Sequence, residues 1–215
     1  MNGTKLQGII TRQNLHLEKD LLIDLLTPQG FFSLYARGAL NSRRRFVGGI
    51  LEVGNFVEVL TELPKAIEQQ EAIMFIKEAK LIKCFEGIRN SYSKVSVLYK
   101  VMDFMNQWPK GRYEEWKIFS LLGVVLECLA QTANDHLVLH STYLQFIVKS
   151  LYLEGLLRSD TTTLNVLLKS PLGGLSGPVL KELPKYEIAV NQVLEQIGFF
   201  RLESKKQPAK SAVLR

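Results

Sequence analysis

The sequence predicts an α+β protein in which an N-terminal five-stranded OB-fold β-barrel is followed by an α-helical domain. Five short apolar or alternating segments, joined by turn residues, lie within residues 1–85, as in a small closed barrel. After this region the hydrophobic period changes to that of amphipathic helices. The composition, 47% hydrophobic and 22% charged, is ordinary for a chain that forms a core.

The predicted strands follow one another at short intervals. They are LQGIITRQ (6–13), DLLIDLLT (20–27), FFSLYARG (31–38), FVEVLTEL (56–63) and IMFIKEAKLIKCF (73–85). The second segment runs into the turn residues PQG, and the fourth alternates between apolar and polar side chains. Alternation of this kind is typical of a strand with one buried face.

Helical spacing begins after residue 85. One face is formed by Val95, Leu98, Met102 and Met105, and a second by Trp116, Phe119, Leu122, Leu126 and Leu129. Further helices are predicted over 136–157, ending near Gly155, and over 184–198, with a loop at 170–178. We expect Trp108 and Trp116 to pack in the helical core or against a partner.

The charge is unevenly distributed along three predicted regions. These are a nucleic-acid-binding barrel at 1–85, a helical domain at 86–202 and a basic, disordered tail at 203–215. The net charge of +6 comes from the two ends, because residues 61–200 carry fifteen basic and fifteen acidic side chains. A basic excess favours anionic partners such as nucleic acid.

Several classes of function lack the residues that they require. No apolar run reaches the roughly 18 residues of a membrane span, and the polar start of the chain predicts a cytoplasmic protein without a secretory signal. Cys84 and Cys128 are expected to be reduced thiols. His136 and His140 have the spacing of two metal ligands, but no third ligand accompanies them, so neither a metal nor another cofactor is expected. The sequence contains no recognisable phosphate-binding or catalytic motif, so we do not expect an enzyme.

A cluster of cations stands out in the segment YARGALNSRRRFVGG (35–49). We call residues 37–45, which contain Arg37, Arg43, Arg44 and Arg45, the arginine loop. Guanidinium groups fit phosphate oxygens, and exposed aromatics of an OB barrel can stack bases. The loop, together with Tyr35 and Arg12, is therefore a candidate nucleic-acid site. The alternative is a solvated basic turn with the neighbouring aromatics in the barrel core.

Ordered motifs along the chain resemble those of the RecO family of bacterial recombination mediators. ARGALNSRRRFVGG (36–49) resembles a family signature that is followed by a basic loop and a Gly-rich strand start. The segments that begin with GIITRQNLHLEKD, EAKLIKCFEGIRN and FIVKSLYLEGLL resemble the first hairpin, the junction of barrel and helices, and a later helix. The resemblance covers most of residues 5–205.

This resemblance implies a non-catalytic function in DNA recombination and repair. It implies binding of single-stranded DNA, with double-stranded DNA as a further ligand, annealing of complementary strands and help in loading a recombinase, with RecR as partner. The other class of function left open is an OB-fold RNA-binding or protein-adaptor module, which would not accelerate strand annealing.

The resemblance also implies a site for the acidic C-terminal tail of single-strand-binding protein on the helix around 143–157. Phe146, Leu151 and Leu156 are the expected slot residues, and Lys149 and Arg158 are the expected cationic rim. The sequence departs from the family at two places, of which the first lies in this tail site and the second concerns zinc. Gln145 replaces a residue that is often basic, and the segment after Gly155 lacks the four cysteines of a zinc site.

Overall fold

A computed structural model describes residues 3–42, 44–62, 74–108, 115–157 and 162–199. The elements in chain order are β1 (Thr4–His16), β2 (Asp20–Thr27), β3 (Gly30–Ala36), β4 (Phe56–Glu62), β5 (Met74–Lys83), α1 (Glu86–Arg89), α2 (Tyr92–Gln107), α3 (Glu115–Gln131), α4 (His136–Leu153), α5 (Asn165–Lys169), α6 (Gly177–Lys181) and α7 (Leu183–Gln196). No helix in the described ranges is both long enough and apolar enough to cross a membrane. The tail predicted at 203–215 lies outside them.

The five strands close into a barrel in the order β1-β2-β3-β5-β4, and β4 pairs back onto β1. All neighbouring strands are antiparallel except β3 and β5, which run parallel where Leu34 pairs with Met74 and Tyr35 with Phe75. The predicted fold class, an OB-type five-stranded barrel followed by helices, is confirmed.

Alternation along the strands separates the inside of the barrel from its outer face. Ile23 and Leu25 of β2, and Val57 and Val59 of β4, point inward and are buried. Burial of each such side chain contributes roughly 1.5–3 kcal/mol. The residues between them point outward, which places a second set of β1, β2 and β3 side chains together on the outer surface.

The long helices begin at polar caps that the sequence provides. Ser91 accepts a hydrogen bond from the backbone N–H of Lys94 at the start of α2. Asp135 accepts bonds from the N–H groups of Leu137 and Val138 at the start of α4. The predicted buried face of α2 is confirmed, because Leu98, Met102 and Met105 are in the core.

The structure corrects two details of the helical prediction. Trp116 belongs to the predicted apolar stripe of α3, but its side chain is 54% exposed and lies outside the helical core, so packing against a partner stays a prediction; Trp108 is buried. The buried face of α3 includes Ile118 and Leu122, and a residue two positions before Ile118 lies on the other side of a helix. The short helices α1, α5 and α6 were not predicted, and α6 begins inside the predicted loop at 170–178, since one or two turns carry too little periodic signal.

Polar contacts fasten the helices onto the barrel. The Asn106 amide of α2 donates to the Thr11 carbonyl oxygen of β1 at 3.0 Å. Arg89 of α1 forms an ion pair with Glu52 at 2.6 Å and donates to the Asn55 side-chain oxygen at 2.8 Å. Buried side chains of barrel and helices form one apolar core, so the helices pack directly against the barrel.

Candidate nucleic-acid interface

The outer face of β1, β2 and β3 brings together residues that are distant in sequence. Register places Leu22 opposite Tyr35, Asp24 opposite Ser33, and Arg12 opposite Asp24. Residues that face each other across antiparallel strands share one side of the sheet. We call this surface, with Phe75 at its β5 edge, the outer face.

An aromatic cleft of about 430 Å³ opens on the outer face, near the turn between β1 and β2. Tyr35 lies at its centre, with ring centroids 5.5 Å from His16 and 5.3 Å from Phe75 in edge-to-face arrangements. Such pairs hold one another in defined orientations. Leu17, Asp20, Leu22 and Arg37 complete the lining.

Asp20 anchors both the cleft and the start of the arginine loop. Its carboxylate accepts a short hydrogen bond from the Tyr35 hydroxyl and another from the Gly38 backbone N–H, at 2.7 Å. These bonds, led by that from Tyr35, lower the pKa of Asp20, and the same contact raises the pKa of Tyr35. Gly38 has φ +65°, a conformation that glycine adopts without strain.

The described residues of the arginine loop are folded back onto the end of β3. The Arg45 guanidinium donates to the Arg37 carbonyl oxygen at 2.9 Å and lies 5.2 Å from the centre of the buried Phe46 ring. The Arg45 backbone N–H donates to the Ser42 hydroxyl at 3.1 Å. Arg37 and Arg44 are exposed to solvent, whereas Arg43 lies outside the described residues.

Arg12 lies on the same face but is partly neutralised. Its Nε is 4.0 Å from one carboxylate oxygen of Asp24, and the other oxygen of that carboxylate accepts a 2.6 Å hydrogen bond from Ser33. A pair of this length near the surface is weak, so Asp24 neutralises the Arg12 guanidinium only in part. Asp20 and Asp24 lower the positive potential of the outer face. Its positive charge therefore comes mainly from the exposed arginines of the arginine loop.

Comparison with known proteins relates the barrel to a family of DNA repair proteins. Residues 1–85 match the family model described as "Recombination protein O N terminal". DNA repair protein RecO of Desulfosudis oleivorans is 30% identical over 137 residues, which are 63% of this chain and 51% of the relative. Residues 1–85 are therefore similar to the N-terminal part of RecO proteins.

Other relatives agree with this. The chain is 24% identical over 132 residues to DNA repair protein RecO of Anaeromyxobacter dehalogenans, covering 60% of this chain and 49% of that protein. It is 22% identical over 151 residues to DNA repair protein RecO of Chlorobium phaeobacteroides, covering 70% and 56%. The chain thus spans about half the length of the curated relatives that it matches.

The slot that the RecO resemblance implied on α4 is closed. Phe146 has 0% exposure and packs against the Phe104 ring at 5.7 Å, and Leu151 is also fully buried. A partner's side chain cannot reach either residue while the core is packed. Half-buried Leu156 is the slot residue that keeps some accessible surface.

The polar residues of that helix hold the segment that follows it. Gln145 donates to the Pro171 carbonyl oxygen at 2.8 Å and accepts from the Gly173 N–H at 2.9 Å. Lys149 donates a short hydrogen bond to the Leu168 carbonyl oxygen, and burial lowers its pKa. Lys149 therefore reaches across to α5, while Arg158 lies outside the described residues. The partner-binding residues stay a prediction.

The two histidines of α4 contact each other, and one of them contacts a carboxylate of α7. The His136 and His140 rings stack with centroids 6.3 Å apart, and His140 lies 3.4 Å from a carboxylate oxygen of Glu187. Burial lowers the pKa of His140, and Glu187 opposes that shift. Within the ranges the structure describes, no group of three or more His, Cys, Asp or Glu residues has the geometry to hold a metal ion.

Sequence reasoning missed His16, Asp20 and Phe75 as parts of the aromatic cleft on the outer face. Tyr35 was predicted, but its ring neighbours come from the end of β1 and from β5. The parallel pairing of β3 with β5 brings Phe75 beside Tyr35. Outward alternation is a usable signal for Phe75 and for the end of β1, once the strand order is known.

Proposed function

We propose that this chain is a non-catalytic DNA recombination and repair mediator. It binds single-stranded DNA, anneals complementary strands and helps to load a recombinase onto protein-coated single strands. One observation carries the proposal: in a barrel that matches the RecO N-terminal family model, the aromatic cleft of the outer face is lined by Arg37, the first residue of the anchored arginine loop.

The chemistry of the outer face suits a single strand. A cationic surface follows the phosphate backbone, and aromatic rings accept bases whose faces are free, which a duplex does not offer. Arg37 is an exposed cation that lines the cleft, and Arg44 is a further exposed cation of the arginine loop. Because Asp20 and Arg45 already hold the loop, little conformational entropy is lost when phosphates bind.

The helical domain is proposed as the partner-binding part. By analogy with the family, RecR and the acidic C-terminal tail of single-strand-binding protein are the proposed protein partners, in the cytoplasm. Double-stranded DNA is a further proposed ligand of the barrel. The basic residues of 201–215 add charge that favours nucleic acid without sequence preference.

Lys149 is the described cation with which the proposed tail site can be tested. Lys149→Met keeps the apolar stem and removes the charge, so it should weaken binding of an acidic peptide ending in Asp-Asp-Ile-Pro-Phe. Fluorescence anisotropy of the labelled peptide measures this, with exposed Lys181→Met of α6 as the control. Equal affinity of Lys149→Met and wild type would place the peptide elsewhere.

A strand-annealing assay tests the proposed function. Complementary labelled single strands, bare or coated with single-strand-binding protein, should anneal faster with the wild-type chain than without it. The Arg37→Ala, Arg44→Ala variant should lose most of this acceleration. Lys181→Ala, Lys185→Ala removes two exposed cations of the helical domain and should keep it.

The alternative function predicts a different result in the same assay. An RNA-binding or adaptor OB module would leave annealing at the spontaneous rate, while it could still bind a single strand. Wild-type protein that binds single strands without accelerating annealing would therefore exclude the mediator function and favour the alternative.

A further inference from the structure

The aromatic cleft has features that a phosphate-binding surface alone does not need. Its wall includes Leu17, whose apolar side chain is 71% exposed. Leu17 also has φ +55° and, among the described residues, is the non-glycine residue with a positive φ. Leucine is uncommon in this conformation, where glycine or asparagine is preferred.

An exposed and strained leucine at a hairpin turn points to a contact made by its side chain. Phe75, on the opposite side of Tyr35 from the turn, is 38% exposed. The cleft between them therefore offers apolar and aromatic surface to a ligand. Its volume of about 430 Å³ lies toward the low end of the ~300–1,000 Å³ of small-molecule sites.

Two polar groups of the wall are already paired with each other. The Tyr35 hydroxyl donates to Asp20, and the same carboxylate accepts from the Gly38 N–H. The Tyr35 O–H proton is therefore engaged within the wall and does not read the edge of a base. Arg37 lines the cleft and is exposed, so its guanidinium is placed for the phosphate next to a bound base.

We propose that the aromatic cleft binds one unstacked nucleobase of a single strand, with Arg37 on the adjoining phosphate. This inference rests on the proposed function and names the part of the face that takes the base. Leu17, His16 and Phe75 contact the base through its faces and apolar edges. The site consequently takes pyrimidines and purines alike and requires an unpaired base.

A strand that carries phosphates without bases separates stacking from charge. The wild-type chain is titrated at low salt with a labelled deoxythymidine strand of about 15 nucleotides, and with an abasic tetrahydrofuran strand of the same length and charge. We expect tighter binding of the strand that carries bases. Phe75→Ala should lower affinity for that strand roughly 5- to 100-fold and leave affinity for the abasic strand unchanged.

Matched variants protect the result from a change in folding. Phe75→Leu keeps an apolar side chain and removes the ring, so it should also lose the preference for bases. Tyr92→Ala removes a ring that is 90% exposed on α2 and lies outside the cleft. This variant should keep the preference for the strand that carries bases. A substitution that only destabilised the barrel would weaken binding of both strands. A lower affinity for the abasic strand would reveal this.

Three outcomes bear on the inference. Equal affinity of the wild-type chain for both strands would overturn it and leave a phosphate-binding face. A preference for bases that survives in both Phe75 variants would overturn it by placing stacking elsewhere. Absence of binding to either strand would remove the proposed function and the cleft's role with it.

Discussion

The Arg45 side chain donates a hydrogen bond from Nη2 to the backbone carbonyl oxygen of Arg37, at 2.9 Å. One arginine of the loop thus holds the position of another, while its guanidinium also lies over the Phe46 ring. Arg44 and Arg45 are both exposed, but Arg45 also holds the end of β3. We expect Arg45 to position the loop and Arg44 to contact a phosphate directly.

Substitutions that conserve charge should separate these two roles. Lysine can replace an arginine that makes a point contact with phosphate. It cannot replace one whose planar fork is needed for hydrogen bonds. Arg45→Lys should weaken single-strand binding roughly 2- to 10-fold, the equivalent of one hydrogen bond, with an unchanged salt dependence. Arg44→Lys, the matched control, should bind nearly as wild type in anisotropy titrations. Equal effects at the two positions would contradict the positioning role.

The bond between Asp20 and Tyr35 should depend on pH. Hydrogen bonding holds the pKa of Asp20 below its ordinary 3.8, so the stability it contributes is full above about pH 3.8 and is lost as the pH falls further. The pKa of Tyr35 is raised above its ordinary 10.0. Its contribution is full below that value and is lost as the pH rises through the raised pKa.

A double-mutant cycle with Asp20→Asn and Tyr35→Phe measures this coupling. Urea denaturation at about pH 6 should give a favourable coupling free energy, which should shrink as the pH falls below 3.8 and through the lowered pKa of Asp20. A coupling that stays constant while the protein remains folded in acid would show that the ionised carboxylate is not its source.

Gln145 should stabilise the helical domain through the loop that it holds. Gln145→Leu leaves the Pro171 carbonyl oxygen and the Gly173 N–H without their side-chain partner. We expect a loss of roughly 1–3 kcal/mol in the free energy of unfolding, measured by urea denaturation. Gln131→Leu, at an exposed position at the end of α3, should change stability by less than about 0.5 kcal/mol. Equal stability of the two variants would contradict the account.

The close approach of α1 to α3 should tolerate no side chain. A β-carbon on Gly87 would overlap the Ala130 carbonyl oxygen, whereas one on Gly123 meets nothing within 4 Å. Gly87→Ala should therefore destabilise by roughly 1–3 kcal/mol. Gly123→Ala should stabilise α3 by up to about 1 kcal/mol. Thermal unfolding of both variants tests the pair, and a Gly87→Ala protein as stable as wild type would show that the helices can separate.

Much of the fold could be predicted from the sequence because its signals are local. The apolar run DLLIDLLT before a Pro/Gly turn marks β2, alternation in FVEVLTEL marks β4, and the 3-4 spacing from Val95 to Met105 marks α2. Proline near the start and glycine after the end mark α7. Trp116 was misplaced because a stripe of apolar residues does not fix where the buried face ends.

The site could be predicted only in part. Tyr35 and the arginines of the loop are close together in sequence, so one local motif was enough to predict them. The other members of the cleft depend on which strands meet, and the parallel pairing of β3 with β5 leaves no local sequence signal. The burial of Phe146 likewise depends on Phe104, a residue of another helix.

The central claim is that the arginine loop contacts the phosphates of a single strand, and salt dependence tests it most directly. The slope of log affinity against log salt concentration is measured for wild type and for the Arg43→Ala, Arg44→Ala, Arg45→Ala variant. The account predicts weaker binding and a slope that flattens by about 0.7 for each phosphate contact removed. An unchanged slope in a folded triple variant would contradict it.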